Sequence, residues 1–70
     1  MITRIGIVAG EIWRHLDEKG TSALSEICRA LDHPKELIIM SVGWLAREGH
    51  VILEKIEEDF KVSLRQKGLD

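Results

Sequence analysis

The sequence predicts a mainly α-helical domain that ends in a small β-hairpin, an α+β fold. Apolar residues recur at helical spacing through three successive stretches before residue 49. Gly49 then stops the third stretch, and a strand pattern begins at once. From there apolar and polar residues alternate on both sides of a short acidic turn, which is typical of a half-buried hairpin. Seventy residues make a single domain at the lower end of the sizes that fold unaided.

The first helix is expected from about Thr3 to Lys19. Gly6 and Gly10 are four residues apart and therefore share one face of this helix, with Trp13 near it. Each glycine costs a helix interior about 0.8–1 kcal/mol relative to alanine. The pair therefore indicates close packing at this face, either inside the monomer or between molecules. A separate stripe at helical spacing is predicted to face the core: Ile5, Ala9, Ile12 and Leu16.

A turn at Gly20 leads to the second helix, which is expected to start near Ser22 or Ala23. Ser22 is a candidate cap for the first amides of this helix, and the turn leaves room for a short strand at Thr21–Ser22. The buried face is predicted from residues at positions i, i+3, i+4 and i+7: Leu24, Ile27, Cys28 and Leu31. Cys28 is therefore predicted to be a core side chain and not a ligand or nucleophile.

The third helix should follow the turn at 32–34, with Pro34 at its first position, and run to about Glu48. Its inward residues are predicted to be Ile38, Val42 and Leu45, and Gly49 is expected to end it with a positive φ.

The hairpin is predicted to have strands at His50–Ile56 and Phe60–Arg65, joined by the three-residue turn Glu57–Asp59. Two strands alone are marginal in water, so the hairpin must pack on the helices. The sequence thus predicts one domain over residues 1–65 and a loose tail over Gln66–Asp70.

The order of helix, short strand, helix, turn, helix and two-stranded wing resembles the winged helix-turn-helix superfamily over nearly the whole chain. Two motifs are more specific: Ala9-Gly10-Glu11-Ile12-Trp13 and, far downstream, Gly43-Trp44-Leu45-Ala46-Arg47-Glu48-Gly49. Together they are similar to a family of small stand-alone prokaryotic winged helix-turn-helix domains of unknown function. The resemblance implies the fold and suggests homodimers. It supplies no catalytic residue, ligand or DNA site.

The outward face of the third helix is unusual for a DNA reader, which needs polar or basic side chains there. With the inward residues assigned, the outward set is Lys35, Glu36, Leu37, Ile39, Met40, Gly43, Trp44 and Arg47. Two basic and two acidic residues lie between positions 34 and 48, and two lysines face four acids between 54 and 61. The whole chain carries a net charge of −2. Phosphate contact is therefore disfavoured.

Two hypotheses follow. In the first, the chain is a protein–protein interaction module that is expected to form a homodimer through the apolar outer face of its third helix, or to contact another protein. This predicted interface is Gly6, Gly10, Trp13, Leu37, Ile39, Met40, Gly43 and Trp44. In the second, the chain is a DNA-binding transcriptional regulator that acts as a dimer. Its contacts would come from Lys35, Arg47, Lys55, Lys61, Arg65 and Lys67.

No motif of enzymatic chemistry is present. His15, His33 and His50 are isolated, since none is assigned another His, a Cys or a cluster of acids three or four residues away, so we expect no metal and no cofactor. The chain has no phosphate-binding glycine loop, and we predict a non-enzymatic protein without a small-molecule ligand. A single cysteine agrees with a reducing compartment. Neither a signal peptide nor a membrane-spanning stretch is expected, which favours a cytoplasmic location.

Overall fold

A computed structural model of the chain describes residues 1–65. The elements along the chain are α1 (Ile2–Lys19), β1 (Ser22–Ala23), α2 (Leu24–Ala30), α3 (Lys35–Arg47), β2 (Val51–Ile56) and β3 (Asp59–Leu64). This confirms the predicted fold class, three helices followed by a two-stranded wing with a short third strand. The tail predicted over Gln66–Asp70 lies outside the described residues.

The core forms where the three helices meet the inner face of the sheet. Ile12 of α1, Ile27 of α2 and Ile38 of α3 are fully buried, and Val62 of β3 joins them from the sheet. Within each helix the apolar residues recur every three or four positions, so that they cover one face of the helix. This spacing explains why these segments form helices that pack on a common core. The remaining buried apolar residues are Val8, Ala9, Leu16, Leu37, Val42, Leu45 and Val51.

The start of α2 differs from the sequence prediction. Ser22 does not cap the helix, because it lies in β1 and its hydroxyl donates a hydrogen bond to the Gly20 carbonyl (2.9 Å). Instead, the Ala23 N–H donates to Oε1 of Glu26 (2.7 Å), and the Ser25 N–H donates to Oδ1 of Asp59 on the wing (3.3 Å). Two carboxylates thus accept hydrogen bonds from amides at the start of α2, and their charge also suits the positive end of the helix dipole.

The ends of α3 follow the sequence more closely. Pro34 precedes the first helical residue by one position, and its carbonyl accepts hydrogen bonds from the N–H groups of Leu37 and Ile38 (3.0 and 3.2 Å). Gly49 has φ of 81°, as predicted, and this left-handed conformation turns the chain from α3 into β2.

The sheet is antiparallel with strand order β1-β3-β2, so β3 is central. Leu53 pairs with Val62 and Ile56 with Asp59, which leaves a turn of two residues, not the predicted three. Asp59 belongs to β3 because it pairs across the hairpin. Glu57 in this turn has φ of 49°, a conformation that glycine or asparagine adopts at lower cost.

Candidate protein-interaction surface

The outward side of α3 exposes large apolar side chains. Ile39, Met40 and Trp44 keep 43, 42 and 45% of their surface accessible, and Gly43 lies exposed among them. These four residues, which we call the α3 face, were all predicted to point outward from the sequence. Contiguous apolar surface of this kind marks contact sites on soluble proteins.

Leu37 was predicted from the sequence to point outward, and this prediction was wrong. Only 3% of it is accessible, and it belongs to the core, not to the outward face. The buried side of α3 is wider than the predicted stripe, because the helix packs against α1 as well as against the sheet. Ser41, one turn after Leu37, is buried too and donates its hydroxyl to the Leu37 carbonyl (2.7 Å). An isolated monomer therefore does not present Leu37 to a partner.

One flank of the α3 face opens into a shallow groove between α1 and α3. The groove brings together four of the residues predicted for the interface: Gly6, Gly10, Trp13 and Trp44. Ala9, Leu45 and His50 complete its lining, and the Trp44 ring centroid lies 6.3 Å from that of His50. A Cβ atom added at Gly6 or Gly10 would meet no atom of the described chain within 4 Å. Within residues 1–65 the two glycines therefore serve no close contact with another part of the chain.

The other flank opens into an apolar groove between α3 and the wing. Ile39 and Gly43 line it from α3, and Leu53 and Phe60 line it from the hairpin. Leu24 and Val42 also line it. Leu53 and Phe60 were not among the residues predicted for the interface from the sequence. The predicted three-residue turn would pair Ile56 with Phe60 and so put Phe60 and Leu53 on opposite sides of the hairpin. The observed two-residue turn pairs Lys55 with Phe60 and Leu53 with Val62, which brings Leu53 and Phe60 to the same side.

In the part of the chain that the structure describes, the basic residues do not form a continuous strip beside α3. Lys61 pairs with Glu54 (3.2 Å), and Lys55 donates to the Glu57 carbonyl with its Nζ 5.5 Å from the Phe60 ring centroid. Lys35 and Arg47 are exposed at opposite ends of α3. Among the other residues of the DNA hypothesis, Arg65 lies at the end of the described chain near Gly49, and Lys67 is outside the described residues.

The acidic wing contributes to the fold as well as to the surface charge. Asp59 accepts hydrogen bonds from the Ser25 hydroxyl (2.6 Å) and from the Phe60 N–H (2.7 Å). Both bonds hold the pKa of Asp59 below its usual 3.8, and the bond from the Ser25 hydroxyl has the larger effect. A charged carboxylate thus stays at the hairpin end, beside Glu57 and Glu58. Phosphate groups would be repelled there.

The histidines do not converge. His33 pairs with Glu11 of α1 (2.9 Å), His15 lies 3.5 Å from the Ser22 hydroxyl, and His50 stands beside Trp44. Within residues 1–65 there is no group of three or more side chains that could hold a metal ion. None of the helices described is long and apolar enough to span a membrane.

Three helices, a helix-turn-helix pair formed by α2 and α3, and the wing that follows α3 define a winged helix-turn-helix domain. Residues 1–64 match the model of one family of such domains, described as "Winged helix-turn-helix domain (DUF2582)". The chain belongs to this family. It is also similar to the uncharacterized protein MJ1608 of Methanocaldococcus jannaschii, with 31% identity over 64 residues. That alignment covers 89% of this chain and 91% of the relative.

Proposed function

We propose that this winged helix-turn-helix domain is a non-enzymatic, cytoplasmic protein–protein interaction module that forms a homodimer through the α3 face. The observation that carries the proposal is the exposure of Ile39, Met40 and Trp44 on the surface that such domains usually turn toward DNA. Fully burying a large apolar side chain stabilises a protein by about 1.5–3 kcal/mol. These three residues are half-exposed, so a partner gains part of that for each of them.

Tryptophan supports the proposal because it is enriched among the residues that dominate interface energy. Both tryptophans of the chain border the groove between α1 and α3. Gly6 and Gly10 form the wall of this groove on α1, and they let a partner approach the helix backbone closely. Two glycines at exposed positions of a helix lower its stability, and close packing of a second molecule provides a physical reason for them.

A DNA-binding role has less support. The region from 34 to 48 carries no net charge, and the wing carries a net charge of −2 between Glu54 and Lys61. Two of the wing lysines already interact with groups of the hairpin. Affinity for DNA depends mainly on phosphate contacts by uncompensated cations. The fold itself does not decide between these functions.

The experiment is light scattering on the wild type, Trp44→Glu and Ile52→Glu at micromolar concentration. Ile52 is an exposed apolar residue on β2 that lines neither groove, so its variant is a matched control. The proposal expects dimeric wild type and control, and a monomeric Trp44→Glu protein with an unchanged circular dichroism spectrum. A wild type that is monomeric, or a Trp44→Glu dimer as stable as the wild type, would refute it.

A further inference from the structure

We propose that the two copies pack α3 against α3 in an antiparallel arrangement, in which Glu36 of each copy pairs with Arg47 of the other. This inference rests on the proposed function and adds the register of the contact, which is set by charge. A second copy of this chain is therefore the occupant of the α3 face.

Glu36 and Arg47, at the two ends of the α3 face, carry opposite charges, and their sequence neighbours Lys35 and Glu48 carry the reverse pair. Glu36 precedes Ile39 and Met40 by three and four residues, so it lies on the same side of the helix. Arg47 follows Gly43 and Trp44 by four and three residues and extends the same side at the other end. Within residues 1–65 neither Glu36 nor Arg47 forms an ion pair. The exposed line along α3 thus runs from an acid, through apolar residues, to a base.

Only an antiparallel orientation of the two α3 helices brings Glu36 of one copy opposite Arg47 of the other. In a two-fold dimer each copy uses the same patch of its surface. When the two helices are antiparallel, a residue of one copy faces the residue of the other copy that lies equally far along the helix on the other side of the symmetry axis. An axis at the level between Ser41 and Val42 leaves Glu36 and Arg47 each about 8 Å away along the helix, at 1.5 Å per residue. Both Glu36–Arg47 pairs then form at the same time. A parallel arrangement would instead place like charges together.

In the same register, a large apolar side chain of the α3 face of one copy lies opposite a residue without a side chain in the other copy. Met40 and Gly43 are equally distant from the level between Ser41 and Val42, so Met40 of one copy lies level with Gly43 of the other. A Cβ atom added at Gly43 would meet nothing of the described chain within 4 Å, so there is space at this position. Methionine is flexible and adapts to such spaces. The glycine therefore receives a side chain of the second copy.

The test is charge reversal with complementation. Glu36→Arg places two arginines opposite two arginines in its own dimer, and Arg47→Glu places acids opposite acids. Each variant alone should dimerise with a Kd about tenfold higher than the wild type, measured by sedimentation equilibrium at low salt. An equimolar mixture should form a heterodimer with a Kd near that of the wild type, because opposite charges face each other again. Glu18→Arg on α1 is the matched control and should not change the Kd.

The outcomes separate this inference from the proposed function. A monomeric wild type would overturn both. A dimeric wild type whose Kd is unchanged by either reversal would overturn the register and leave the α3 face as the interface. Weakened single variants that do not recover on mixing would also overturn the register. Recovery in the mixture, with loss of the effect at high salt, supports the antiparallel pairing.

Discussion

Asp59 on the wing caps the second helix through Ser25, although the two residues are 34 positions apart in the sequence. Oδ1 of Asp59 accepts from the Ser25 N–H, and Oδ2 accepts from the Ser25 hydroxyl. A carboxylate at the start of a helix satisfies an otherwise unpaired amide and favours the dipole. The contact fixes the end of the hairpin against α2 and thereby sets the position of the wing beside α3.

We predict that Asp59→Ala lowers the thermal midpoint by a few degrees at neutral pH, because α2 loses its cap. Because the pKa of Asp59 is lowered in the folded protein, its contribution is fully present well above pH 3.8. The contribution is lost as the pH falls below 3.8 and the carboxylate is protonated. Thermal melts of wild type and variant should therefore differ at neutral pH and converge in strong acid. Equal losses in Asp59→Ala and the neighbouring control Glu58→Ala would contradict this cap.

The turn of the wing offers a second prediction. Glu57 has φ of 49°, which costs a residue with a Cβ about 1 kcal/mol or more relative to glycine. Glu57→Gly should therefore raise the free energy of unfolding by roughly 0.5–1 kcal/mol in urea denaturation, since glycine also loses more entropy on folding. Glu58→Gly gains no such relief and should be neutral or destabilising. A stabilising Glu58→Gly, or a destabilising Glu57→Gly, would show that the turn has another conformation.

The sequence could predict the elements that depend on local patterns. The apolar stripes located α1 and α3, and Gly49 located the junction with the wing. The predicted orientations of Met40 and Trp44 were also correct, because helical periodicity is reliable in the middle of a long helix.

Contacts between distant residues could not be predicted in the same way. Asp59 looked like part of an acidic turn, because nothing local shows that its carboxylate reaches α2. Leu37 was placed outside because the stripe of Ile38, Val42 and Leu45 already accounts for one face. The packing of α1 against α3 widens that face, and this is a tertiary effect. The groove between α3 and the wing also depends on distant residues, because it forms where Leu53 and Phe60 of the hairpin lie beside Gly43 of α3.

Gly43→Ala tests the role of the α3 face, because the substitution should stabilise the monomer and weaken the dimer. Alanine is better than glycine in a helix interior by about 0.8–1 kcal/mol, and the site has room for a Cβ atom in the monomer. The monomer should become more stable by about that amount in urea denaturation at low protein concentration. The dimer should become weaker, because Met40 of the second copy occupies the same space. If Gly43→Ala strengthened both, the glycine would not be a contact point.

We further predict that the protein does not bind duplex DNA even at low salt, where phosphate contacts are strongest. Fluorescence anisotropy of a labelled duplex, titrated with the wild type at 20–50 mM salt (roughly the range in which charge screening is weak), measures this directly. Binding that falls steeply with added salt and is lost in Lys35→Ala and Arg47→Ala would support the DNA-binding alternative instead.

The central claim is that a second copy covers the α3 face, and sedimentation equilibrium of the wild type over a micromolar concentration series tests it most directly. We predict that the mass rises with concentration to twice the 8.0 kDa chain mass and stops there, as a closed two-fold dimer requires. A mass that stays at 8.0 kDa across the series would contradict the claim.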